Sequence, residues 1–369
     1  MIYLDNGATS FRKPPAVERA MVEALHTCAN PGRGGYETAM AAARTVYRCR
    51  EMASQLFDCE PEQAVITFNC THGLNIGIRS IVKPGGRVVI SGFEHNAVVR
   101  PLEALGANVT VAGRKLFDPE DTLDAFYKAI RQGVDAAVFT HVSNVFGHIL
   151  PVEELAQLCT DYNIPFIVDA AQSAGVLPIS LKKLGADYIA MPGHKGLLGP
   201  QGTGLLLCRE PGMPLLYGGT GNASRSRQMP LDLPERLEAG TLNVPGIAGL
   251  AAGMQFVKNQ GLHRIFAREH AQLKKCVRKL QKLGMHVFSG ENQAATVSFL
   301  PGKDCEEAAD LLGQMGIAVR AGLHCAPLAH ESAGTLETGT VRVSFGWDAD
   351  TAQTVGFLRA ASKLPGFYG

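Results

Sequence analysis

Between residues 62 and 210, seven short apolar runs alternate with helix-length segments, and this alternation leaves the chain few folds to adopt. The runs are AVIT (64–67), RVVIS (87–91), NVTVA (108–112), AAVFT (136–140), PFIV (165–168), YIAM (188–191) and GLLLC (204–208). A strand with one wet face alternates apolar and polar residues, whereas a strand covered on both faces is apolar throughout. The segments between the runs carry helical spacing. In PVEELAQLCTDYN, Val152, Leu155, Ala156 and Cys159 share one face. Continuous apolar strands joined by helices predict an α/β fold, with a mostly parallel seven-stranded sheet covered on both sides.

Beyond the runs, an amphipathic helix is expected over about 261–283, with Leu262, Ile265, Leu273, Cys276, Leu280 and Leu283 on one face. MHVFS, ATVSFL, IAVR and VRVSF then read as strands of a smaller α/β lobe. The 369 residues divide into an N-terminal segment (1–15), a large domain (16–255) and a small C-terminal domain (256–369). Net charge is +1, with no basic run or acidic tail, which argues against nucleic acid or a membrane surface as partner. No apolar run approaches the about 18 residues of a membrane span, and the N-terminus lacks a signal-type segment, so a soluble cytoplasmic protein is expected. The nine cysteines contain no C-x-x-C pair. They read as reduced thiols, most of them small core residues, with no disulfide frame and no metal site.

In an open parallel sheet, ligands bind beyond the carboxyl ends of the strands. Five of the runs are followed there by polar groups: Thr71 and His72 after AVIT, His95 after RVVIS, Ser143 and Asn144 after AAVFT, Asp169 and Gln172 after PFIV, and His194 and Lys195 after YIAM. Each has an ordinary alternative. Thr71 at a helix start is a phosphate seat or a plain N-cap. Asp169 at a buried strand end needs a cation or caps the next helix. Gln172 donates to a phenolate oxygen or is merely a polar helix residue, and His95 lies on an aromatic ring or is structural. Lys195, within MPGHKGLLGPQGTG, is an amine that forms an imine with a carbonyl ligand, or a surface lysine in a glycine-rich turn. The glycines around it are expected to let the backbone pass close to a bound ring and a neighbouring subunit. Taken together, a phosphate seat, an acid for a ring nitrogen and a lysine are what pyridoxal phosphate requires.

In order, the segments YLDNGATS, FNCTHGLN, GFEHNAVVRPL, HVSNVFG, VDAAQSAG, PGHKGLLGPQGTGLL, EAGTLN and RAGLHCAP resemble class V (fold type I) aminotransferases. They look most like the cysteine desulfurase and selenocysteine lyase branch, and the resemblance runs from residue 3 to about 345. It implies a fold type I pyridoxal-phosphate-dependent transferase. Lys195 would hold the cofactor as an imine, Asp169 would pair with the pyridine nitrogen, Gln172 would meet the ring oxygen, and His95 would stack on the ring. Thr71, His72 and His194 would belong to the phosphate side. Thr241, in EAGTLN, would reach the phosphate of the other subunit of a homodimer. Asn144 and Arg342 would hold the substrate carboxylate. Pro192 stands where the family usually has a phosphate-contacting serine, and Arg225 and Arg227 match no family role.

Cys325 separates the branches. It lies in RAGLHCAPLAHES, among small and polar residues, with Arg320 and His324 near enough in sequence to favour a thiolate. The resemblance implies that Lys195 removes the α-proton of L-cysteine and that the Cys325 thiolate takes its sulfur. Alanine leaves, and a persulfide remains for an acceptor protein or a thiol reductant. About 16 residues lie between Cys325 and Arg342, a short loop similar to the Suf-type group. L-selenocysteine is the alternative substrate, and an aminotransferase or lyase with a bystander Cys325 is the alternative enzyme. A nucleotide-binding module fails for want of G-x-x-x-x-G-K-[ST].

Overall fold

The computed structural model describes residues 1–32, 34–222, 224–302 and 304–364. After β1 (Ile2–Tyr3) and two helices, Pro15–Thr27 and Glu37–Phe57, come seven strands. They are β2 (Ala64–Thr67), β3 (Arg87–Ser91), β4 (Asn108–Ala112), β5 (Ala136–Thr140), β6 (Phe166–Asp169), β7 (Tyr188–Pro192) and β8 (Gly204–Cys208). All seven join one sheet in the order β2-β8-β7-β6-β5-β3-β4. Only β8 runs against its neighbours. β5, β7 and β8 are buried along their whole length, which is why each reads as an unbroken apolar run. β4 lies at an edge, and its first three residues are exposed. Apolar side chains cover both faces, Phe126, Phe139 and Leu155 on one and Leu74, Ile78 and Leu102 on the other.

Helices Val244–Gln260 and Leu262–Lys282 follow. The second buries Ile265, Leu273, Cys276 and Leu280 as its spacing predicts. The first has no single apolar face. Its VPGIAGLAAGMQFV run is apolar all round because it packs between Pro15–Thr27 and Glu37–Phe57. The remaining strands are β9 (His286–Phe288), β10 (Thr296–Leu300), β11 (Ile317–Ala318), β12 (Arg320–Gly322) and β13 (Thr340–Ser344). Four of them form an antiparallel sheet, β12-β13-β10-β9. IAVR, read as one strand, is two: Ile317 and Ala318 pair with Ile2 and Tyr3, whereas Arg320 begins the pairing with β13. The chain's start is thus sewn to its C-terminal third. No helix among the described residues is long and apolar enough to cross a membrane.

Candidate active site

The carboxyl ends of β2, β3, β5, β6 and β7 lie on one edge of the large sheet, and a cavity of about 220 Å³ opens there. Thr71, His95, Asn144, Asp169, Gln172, His194 and Lys195 all line it. Lys195 reaches the cavity because β7 and β8 are antiparallel, so the chain returns through a loop without a crossover helix. Within the chain itself, close packing demands a glycine at two positions here. A Cβ on Gly196 would strike the Ala174 carbonyl, and one on Gly175 (φ +85°) would strike the Gly196 carbonyl. The Lys195 loop therefore rests, backbone on backbone, against the turn that follows Asp169.

Four predicted residues do not line the cavity: His72, Thr241, Arg342 and Cys325. His72 stacks on Phe68 with ring centroids 4.7 Å apart, and its Nδ1 accepts from the Phe68 N–H at 3.3 Å. Thr241 is exposed and lines a separate hollow with Arg50 and Glu238. The helix Cys70–Ile81 is capped by Asn69, whose Oδ1 accepts from the His72 N–H at 2.9 Å, so the N-cap is not Thr71. Thr71 sits exposed in the first turn, where backbone N–H groups have no intrahelical acceptor.

Burial dominates the electrostatics. It lowers the Lys195 pKa against the opposing charges of Cys70 and Asp169, which favours a free amine. His95 is likewise lowered by burial, with Asp169 opposing. Its Nδ1 accepts from the Ala97 N–H at 3.0 Å, which leaves the proton of the neutral ring on Nε2. Burial pushes His194 down to about 4, and its Nδ1 lies 3.0 Å from the Thr9 hydroxyl. Asp169 is buried, with Oδ1 accepting from the Ala171 N–H at 2.9 Å and from the Cys70 thiol at 3.5 Å. It forms no ion pair among the described residues. Gln172 donates to the Gly7 carbonyl at 2.9 Å.

Arg342 on β13 is buried and donates to the Asn144 carbonyl at 2.9 Å and to Asp5 at 2.7 Å, while its Nε has no partner. Asn144 Nδ2 in turn donates to the His324 carbonyl at 2.8 Å. Cys325 follows, and its own carbonyl accepts from the Asn96 N–H at 2.7 Å, beside His95. Six of the nine cysteines are buried, two are half-buried, and Cys325 is exposed. His324 lends it no charge, because burial and the Arg342 guanidinium hold that imidazole neutral, with its pKa pushed down to about 2. Arg320 is engaged with Asp5 at 3.1 Å.

Several contributing residues were given no role from the motifs. Asp5 bridges Arg320 and Arg342, and Cys70 touches Asp169. The His194 carbonyl accepts from Thr9, Ser10 and Lys13 side chains at 3.2, 2.9 and 2.9 Å, which pins the peptide before Lys195. YLDNGATS contains Asp5, Thr9 and Ser10, but shows them only as a run of small polar residues after a strand.

The sequence model of the aminotransferase class-V family matches residues 2–355. The chain belongs to that family. Among its class V relatives, a probable cysteine desulfurase of Pyrococcus abyssi is 33% identical over 365 residues, covering 94% of this chain and 89% of the relative. Another, from Methanothermobacter thermautotrophicus, is 32% identical over 381 residues, covering 93% and 89%. The apo structure of a cysteine desulfurase from Thermococcus onnurineus superposes with a TM-score of 0.90 at 32% identity, over 98% of this chain and 94% of that one. The fold is that of the fold type I class V enzymes.

Proposed function

We propose that this protein is a pyridoxal-phosphate-dependent cysteine desulfurase that converts L-cysteine to L-alanine and keeps the sulfur on Cys325. The observation that carries this reading is the exposed Cys325 thiol, its backbone hydrogen-bonded to Asn96 and, through His324, to Asn144 at the rim of the Lys195 cavity. The names of the relatives agree with it.

The cavity suits the cofactor. Asp169 is a buried carboxylate without a cation, and a protonated pyridine nitrogen supplies one. The first turn of Cys70–Ile81 offers backbone N–H groups and the Thr71 hydroxyl to a phosphate. His194 lies alongside, whereas the His72 ring faces Phe68 and its N–H is held by the Asn69 cap. Bound there, pyridoxal phosphate supplies an aldehyde for Lys195 and an electron-withdrawing ring for the substrate's α-carbon.

The remaining work falls to the chain. The Lys195 amine, whose pKa burial lowers, takes the α-proton. Asn144, which lines the cavity, and Arg342, whose Nε has no partner, would hold the substrate carboxylate. His95, with its proton on Nε2, lines the same cavity and would stack on the ring. Cys325 Sγ bonds to the substrate sulfur as the Cβ–S bond breaks. The bonding pair passes to Cβ, which takes a proton, and Lys195 returns a proton to the α-carbon, so alanine leaves and a persulfide stays on Cys325. An acceptor protein or small thiol then removes that sulfur. The enzyme works in the cytoplasm as a homodimer, with Thr241 completing the neighbour's site, which accounts for its distance from Lys195 in its own subunit. Residues 1–15 belong with the small C-terminal domain, which begins near 256.

Purified protein should show an imine band at about 420 nm that is lost in Lys195→Ala. Cys325→Ala should keep the band and lose alanine and sulfide release from L-cysteine. Undiminished sulfide release by Cys325→Ala would refute the reading.

A further inference from the structure

His324 and His330 form a buried pair directly beside the exposed Cys325, and the reaction described above uses neither imidazole. Their rings stack with centroids 5.6 Å apart at 11°, and His324 Nδ1 lies 3.4 Å from His330 Nε2. His330 Nδ1 is 2.8 Å from the Thr335 hydroxyl, and His324 Nε2 is 3.4 Å from the Arg320 carbonyl. Because that carbonyl can only accept, the direction of the whole chain is settled. His324 donates from Nε2 to Arg320, so its Nδ1 accepts from His330 Nε2–H, so His330 Nδ1 accepts from Thr335 O–H. Every polar atom is satisfied when both rings are neutral. Burial keeps them so, with His330 pushed down to about 4.

The backbone next to this chain is strained. His324 and Cys325 have φ of +53° and +56°, a left-handed pair of non-glycine residues whose cost must be met by their surroundings. We propose that the Thr335–His330–His324 chain is a positioning device that holds residues 324–325 in this conformation and so aims the Cys325 thiol at the Lys195 cavity. This rests on the desulfurase reading of Cys325. His324 acts through the backbone and not as a base for the thiol, since both of its ring nitrogens are already engaged. Thr335 is itself fixed, its N–H bonded to the His330 carbonyl at 2.8 Å. His330 is fully buried and also meets Phe146.

Glutamine places its terminal amide where histidine has Nε2, and asparagine places its amide where histidine has Nδ1. His330→Gln therefore keeps the donor to His324, and His330→Asn loses it. In His330→Asn apoprotein, the Asn96 amide, which is bonded to the Cys325 carbonyl, should exchange about five- to tenfold faster, the effect of one lost hydrogen bond. In the cofactor-loaded enzyme, alanine formation from L-cysteine should fall by a similar factor. Exchange of the alanine α-proton with solvent, which needs Lys195 but not Cys325, should hold. His330→Gln should restore both readouts. Unchanged Asn96 exchange in His330→Asn, equal losses in the two variants, or an equal fall in proton exchange overturns the proposal. A wild-type enzyme inert toward L-cysteine would sink the desulfurase reading, and the amide exchange would still test the anchor.

Discussion

Glu94, one residue before His95, is wholly buried between the ends of β3 and β5. Its Oε1 accepts from the Thr140 N–H at 2.8 Å and from the Ser91 hydroxyl, while Oε2 is buried without a partner. Burial outweighs those hydrogen bonds and pushes its pKa up to about 8. The folded state thus holds a proton that the unfolded chain releases near 4.5. The stability from this group is complete below the unfolded value and is lost as pH rises through about 8. Glu94→Gln keeps the shape and removes the charge. It should match wild type at acidic pH and be more stable above pH 8, on the order of a few kcal/mol. The difference between the two unfolding curves isolates Glu94 from buried histidines such as His141 and His148, whose depressed values slope the other way. A constant difference across pH would refute the assignment. Single residues were unevenly legible in the sequence. Lys195, Asp169 and the exposure of Cys325 could be placed because strand ends and small-residue loops leave a mark. Glu94 could not, because a carboxylate in a polar segment reads the same whether it is wet or dry.

The β7–β8 loop shows what an element takes from its neighbours. Its glycines were visible from the start, but the contact that demands Gly196 lies with the Ala174 carbonyl, on another turn, where Gly175 in turn faces the Gly196 carbonyl. Gly175→Ala adds a methyl group aimed at the Gly196 carbonyl and forces alanine to φ +85°. Strain of about 1–3 kcal/mol should be relieved by moving the Lys195 loop, weakening cofactor binding roughly tenfold. The 420 nm band should titrate at higher cofactor concentration while the far-ultraviolet circular dichroism stays unchanged. Unaltered cofactor affinity would show that the loop does not depend on this contact. The seven strands were readable because burial on both faces writes an unbroken apolar run. The helix Val244–Gln260 lacked a readable face because residues 246–251 are buried all round. IAVR divides between two sheets because pairing partners are not written in a strand's own residues.

At the scale of the whole molecule, Asp5 joins both ends of the chain to the cavity. It receives Arg342 at 2.7 Å and Arg320 at 3.1 Å, partners more than 300 residues away. The two ion pairs are unequal. Arg342 is almost entirely buried, whereas half of the Arg320 side chain is exposed. An exposed pair contributes about 1 kcal/mol or less, so Arg320→Ala should barely change stability. Removing Asp5 strands a buried guanidinium whose Nε is already unpartnered. Asp5→Ala should therefore lower stability by about 3 kcal/mol, read as a fall in the urea midpoint of the apoprotein. Asp5→Asn, which keeps an acceptor for Arg342, should lose clearly less. If the Asp5→Ala cost comes instead from β1 packing, Asp5→Asn would be harmless and adding Arg342→Met to Asp5→Ala would not recover stability. If it comes from the stranded charge, the double variant should be more stable than Asp5→Ala alone, because an apolar side chain needs no partner there.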